Sequence, residues 1–232
     1  MLLKRVILII FALATVICCR AEAVVVSPGE KIVFAVSPMG KAEYTDMGIV
    51  EYKGKRLWLV TFQTRLPGFN DLEKIYADPS TGFPLLVERY IHWPFSYEYL
   101  TEDYDPVNYS QVIKRYLKNK LTNEYKFKNH GPFQNAILMP FYLRGVEGLK
   151  IGWKIEVRIP QKFMVTLSEI KEVQVGKKKI MAFHFTSEPN KFDIWISMDK
   201  HRLPLVIKGL SYGMIMQSHK PAKEGIKTGG KI

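Results

Sequence analysis

Cysteine is nearly absent from this chain: two residues in 232, side by side at Cys18 and Cys19. Both fall in an N-terminal segment that reads as an export signal, so the mature chain expected from it holds no thiol. That excludes a disulfide framework, a thiolate metal site and a cysteine nucleophile. Histidine is scarce too, with five residues at His92, His130, His184, His201 and His219. None stands three to five positions from another, which leaves zinc only to ligands gathered from distant positions. There is no Gly-x-Ser-x-Gly elbow, and the glycines stand singly at turns, so no phosphate-cradling loop forms. The expectation is a non-catalytic protein with no metal and no cofactor.

What is present is globular. Hydrophobic residues make up 47%, aromatics 12% and charged residues 24%, which argues against a disordered or collagen-like chain. Lys4 and Arg5 precede the uncharged apolar run Val6–Ile17, and Ala21-Glu22-Ala23 offers small residues where a signal peptidase needs them. The run is shorter than the roughly 20 residues that cross a bilayer. Cleavage after Ala23 is expected, with an uncleaved anchor and lipid modification of Cys19 as alternatives. The chain carries 34 Lys and Arg against 22 Asp and Glu, a formal charge of +12. Losing Lys4, Arg5, Arg20 and Glu22 with residues 1–23 leaves +10.

From Val24 onward the dominant period is two. Trp153, Ile155, Val157 and Ile159 alternate with Lys154, Glu156 and Arg158, the pattern of a strand with one face on a core and one in water. Ile32, Phe34 and Val36 repeat it, as do Trp58, Val60 and Phe62, then Met181, Phe183 and Phe185, then Phe192, Ile194 and Ile196. Turn signals at Lys53-Gly54-Lys55, Asp78–Gly82, Gly176–Lys178 and Glu188–Asn190 make hairpins the natural connection. About ten or eleven strands result, too many for one flat sheet. The predicted fold is mainly β: a strongly curved antiparallel meander, an open or half barrel, with one short covering helix.

That helix is expected after Gly131-Pro132, with Phe133, Ile137, Leu138 and Phe141 on its apolar side and a kink near Pro140. The acidic stretch Glu98–Asp105 reads as a solvated strand end, and His184 as a solvated histidine. Residues 24–217 form one β-rich domain, and residues 218–232, rich in lysine and glycine, form a disordered basic tail.

Three segments resemble a known family. Gly131–Arg144, Ile194–Ile207 and Gly29–Val36 are similar to the short helix, penultimate hairpin and first strand of the exported bacterial proteins grouped as domain of unknown function 3108. Asn135 and Pro140 depart from that family's helix pattern. The resemblance covers roughly Pro28 to Ser218 and implies a periplasmic β-rich domain with no assigned activity.

These readings lead to an envelope protein that binds a lipid or other amphiphile in an apolar concavity. The side chains expected to line it are Phe133, Ile137 and Phe141 from the helix and Trp153, Val157 and Trp195 from the sheet. Expected partners are an envelope lipid or anionic membrane surface, or other envelope proteins; no nucleic acid is expected. A structural or assembly role is the alternative, with an envelope-polymer hydrolase behind it.

Overall fold

The computed structural model describes residues 26–209 and 212–222; the expected export signal and the end of the basic tail lie outside them. Eight strands come first: β1 (Lys31–Ser37), β2 (Gly40–Tyr52), β3 (Lys55–Leu66), β4 (Phe69–Ala77), β5 (Pro84–Trp93), β6 (Ser96–Asp105), β7 (Ser110–Leu117) and β8 (Lys120–Lys128). After the helix α1 (Met139–Gly145) come β9 (Lys154–Ile159), β10 (Gln161–Val175), β11 (Lys178–Glu188), β12 (Phe192–Ser197), β13 (Pro204–Gly209) and β14 (Gly213–Lys220).

All fourteen of these strands form one antiparallel sheet in the order β8-β7-β6-β5-β4-β3-β2-β1-β14-β13-β12-β11-β10-β9. It consists of two meanders, joined where β1 pairs with β14. The sheet does not close into a barrel, since β8 and β9 are its edges. Near that gap the chain after β8 lies beside β9: the Gln134 amide donates to the Arg158 carbonyl at 2.9 Å, and the Arg158 amide donates to Gln134 Oε1 at 2.6 Å.

Short-range chemistry builds the hairpins. Lys53 and Gly54, with φ of 51° and 74°, sit between β2 and β3 in the doubly left-handed conformation that matches strand twist. Curvature comes from irregularities in the ladder, among them register shifts between Asp46 and Gly48 in β2 and between Leu167 and Glu169 in β10. At the first of these, Gly48 has φ +79°, and a Cβ there would sit 3.0 Å from Pro28.

Register assigns the two faces. Val36, Met214, Ile207, Ile194 and Phe185 lie in one row across β1, β14, β13, β12 and β11 and face the interior. Ala35, Ile215, Val206, Trp195 and His184 form the adjacent row on the outer face. The bent β10–β11 hairpin approaches that outer face, and its Lys171 and Val173 line a cleft of about 300 Å³ with Trp195, Val206 and Ile215. The strand β12 is therefore buried on both faces from Ile194 to Ser197.

The helix is an internal plug and is shorter than expected. Residues 133–138 are not helical; α1 begins at Met139, and Pro140 lies in its first turn, where a missing N–H costs nothing and no kink arises. Asn135 prepares this start by accepting the Ile137 and Leu138 amides at 2.8 and 3.3 Å on Oδ1 and the Met139 amide at 3.1 Å on its carbonyl. Met139, Phe141 and Leu143 are buried, and Phe141 stacks on Tyr44 at 3.6 Å. Each such side chain contributes about 1.5–3 kcal/mol of apolar burial. Arg144 anchors the other end through two bonds to the buried Glu30 carboxylate, 2.8 and 3.0 Å, which His219 also meets at 2.9 Å.

Three further expectations need correction. Ser218, His219 and Lys220 are the last residues of β14, paired with Val33, Ile32 and Lys31, so the chain is ordered beyond residue 217. The acidic stretch is the body of β6, and its register places Glu98, Leu100, Glu102 and Tyr104 on the inner face. His184 is buried rather than solvated; it stacks on Trp195 at 4.1 Å and meets Glu169 at 2.8 Å, because the curled hairpin covers it.

Candidate functional site

The plug fills one end of the open barrel and leaves a cavity of about 320 Å³ toward the other. Its apolar wall is Val36 of β1, Phe62 and Leu66 of β3, Phe69 of β4, Met214 of β14 and Ile137 from the segment before α1. These residues share the space because β1, β3 and β14 present alternate side chains to the same concave face.

The opposite wall is charged. Asp71 and Glu73 alternate with outward residues on β4, and Arg89 of β5 stands directly across from Glu73. Arg89 grips Asp71 with Nε 3.0 Å from each carboxylate oxygen and Nη2 2.5 Å from Oδ2. Its Nε lies 3.5 Å from Glu73 Oε1. Farther along the inner face, Glu102 of β6 accepts the Tyr104 hydroxyl and the Gln111 amide, the latter at 3.0 Å.

Burial controls the electrostatics here. Glu73 is pushed up to about 7, chiefly by loss of water; the Arg89 charge opposes that rise, while Asp71 and Glu102 add to it. For Arg89, burial works against the charge, but the bonds to Asp71 and the neighbouring Glu73 carboxylate hold its pKa above the usual value. Asp46, beneath the plug end, is also raised by burial although it accepts amides from Ser27 and Gly48 and the Trp58 indole N–H.

Of the six side chains expected to line the concavity, only Ile137 borders this cavity. Phe133 lies at a separate small recess with Tyr104 and Pro132. Phe141 packs on Tyr44, Trp153 packs edge-on against Phe185 at 6.0 Å, and Val157 is fully buried. Trp195 is on the outer face. Asp71, Glu73 and Arg89 were missed, although one signal was legible: Asp71 and Glu73 fall in the same alternate row as Ile75 and Ala77, so two acids share a face with core residues. No group of three or more His, Cys, Asp or Glu side chains suited to a metal ion occurs among the described residues.

The fold and its cavity define an open, barrel-like antiparallel β protein. A crystal structure of a beta-barrel-like protein of domain of unknown function DUF1849 from Brucella abortus is similar to it, with a TM-score of 0.50 and 9% identity. The match covers 86% of this chain and 99% of that one, and shows a shared fold alone. No family model and no curated protein matches the chain.

Proposed function

We propose that this protein is a non-catalytic binding protein of the bacterial cell envelope that shelters the apolar part of a small amphiphile in the cavity of its open barrel. The observation that carries the reading is the cavity itself: apolar on one wall, charged on the other, and left over after α1 has filled the rest of the interior. A volume of about 320 Å³ lies at the lower end of small-molecule sites, roughly 300–1,000 Å³. It suits one chain or ring and is too small to enclose several acyl chains. Each methylene moved into it from water gains about 0.8 kcal/mol. The export signal and the resemblance to the domain of unknown function 3108 proteins supply the compartment. The charge of +10 expected for the chain without residues 1–23 favours residence near an anionic surface.

The test is native mass spectrometry of detergent-free protein with single-chain amphiphiles, comparing wild type with Ile137→Trp, which fills the cavity. Retained mass in wild type and its loss in a folded Ile137→Trp variant are expected. Equal binding by both proteins would remove the ligand from this cavity and with it the proposal. An assembly role remains the second reading, favoured by β8, an edge strand exposed along its length with Leu121 and Tyr125 at 52% and 48% exposure.

A further inference from the structure

We infer that the free edge of β8 pairs antiparallel with the β8 edge of a second copy of this chain, about a two-fold axis at Tyr125, so that two open sheets run on as one. The inference stands apart from the cavity and does not rest on it. β8 is an edge strand paired with β7, and all of its residues are exposed. The chain turns toward β9 past the strand's end, where Asn129 meets Arg158 Nε at 3.1 Å and the Pro160 carbonyl at 3.4 Å.

The hydrogen-bond phase of the β7–β8 ladder fixes which groups the edge offers. The Asn129 amide donates to the Tyr109 carbonyl at 2.9 Å. Hydrogen-bonded pairs recur at every second position of an antiparallel ladder. Phe127, Tyr125 and Asn123 therefore turn their amides and carbonyls to β7, opposite Gln111, Ile113 and Arg115. Glu124, Lys126 and Lys128 turn theirs to the open edge.

Charge then selects one register. Identical edges that close a dimer are related by a two-fold axis. With the axis at Glu124 a carboxylate faces a carboxylate, and with it at Lys126, Phe127 or Lys128 lysines face lysines. With the axis at Tyr125, Glu124 of each copy stands opposite Lys126 of the other. Lysine on an edge strand ordinarily discourages such pairing; here it discourages the competing registers and leaves this one. Glu124 and Lys126 already pair at 2.8 Å within β8, so association joins two ion pairs into one network. On the other face Tyr125, 48% exposed, meets the second Tyr125, and Phe127, 36% exposed, meets Asn123, which takes aromatic surface out of water.

The experiment is analytical ultracentrifugation of the exported protein from micromolar to millimolar concentration. A monomer–dimer equilibrium is expected. Glu124→Lys and Lys126→Glu, each of which sets like charges opposite one another, should each weaken it about tenfold or more, and the two together should restore it. Disulfide trapping reads the register separately, with Cys18 and Cys19 replaced by Ser. Residues in a non-hydrogen-bonded pair have Cα atoms about 4.5 Å apart, within the roughly 4.4–6.8 Å that a disulfide spans. Tyr125→Cys should therefore dimerise covalently by itself, and Asn123→Cys only when mixed with Phe127→Cys. A monomer at every concentration leaves the edge to a strand of another protein and overturns the inference. So does a dimer indifferent to both charge changes, or one that Asn123→Cys alone traps as readily as Tyr125→Cys. The substituted β8 positions are all exposed, and the double charge swap keeps the composition of the strand, so a misfolded single variant would not shield the inference.

Discussion

Replacing Glu73 by Gln should make this protein more stable, and only above acidic pH. The side chain sits on the inner face of β4 with 15% exposure, and its carboxyl titrates at about 7 instead of 4.5. A carboxyl with a raised folded-state pKa binds more protons folded than unfolded between those values. Its contribution is therefore full below about pH 4.5 and is lost as the pH climbs through 7. At 1.36 kcal/mol per unit the shift bounds the loss at about 3 kcal/mol, and relaxation of a partly exposed carboxyl brings the expected figure to about 1–3 kcal/mol. The amide of the Glu73→Gln variant would not titrate, and Arg89 would keep its bonds to Asp71. Urea unfolding of both proteins at pH 4 and pH 8, with matched m-values, gives the difference directly. Near-equality is expected at pH 4 and a more stable variant at pH 8, with a melting point higher by about 2–4 °C per kcal/mol. If the 3.5 Å contact with Arg89 outweighed desolvation, the variant would instead lose stability as pH rises. That sign, or a difference that does not change with pH, refutes the reasoning.

Two other outcomes follow from the plug and from the chain's start. Arg144→Met leaves Glu30, 4% exposed, with only His219 on its carboxylate among the described residues and should cost about 3–5 kcal/mol, read by chemical denaturation; Glu30→Gln in the same chain should recover part of it, and no recovery would mean that Arg144 acts by packing on Phe141. Mass spectrometry of the exported form should find a free amine at Val24, whereas a diacylglyceryl group on Cys19 would establish the lipid-anchored alternative.

The local grammar of the chain is readable, and its long-range consequences are not. The turns at Lys53-Gly54 and Gly176-Lys177 join the hairpins expected of them, because a two-residue connection depends only on its own backbone preferences. The helix begins six residues later than apolar spacing implies: Phe133 and Ile137 have helical spacing with Phe141, but Asn135 draws the intervening amides onto its side chain and Pro140 fits best in a first turn. The candidate residues failed differently. Trp195 and Ile194 are equally apolar neighbours, yet one faces the outer cleft and the other the interior.

Alternation by itself determined that this protein is an antiparallel β meander with short turns, since side-chain direction in a strand depends only on position along it. Tertiary structure alone decided that β1 pairs with β14 and so joins the two meanders, which side of the sheet is concave, and that Asp71, Glu73 and Arg89 meet a wall built from Val36, Phe62 and Met214. Curvature is the sum of many small twists and bulges along a whole sheet. The space inside it is whatever the helix leaves unfilled, a quantity that no single segment encodes.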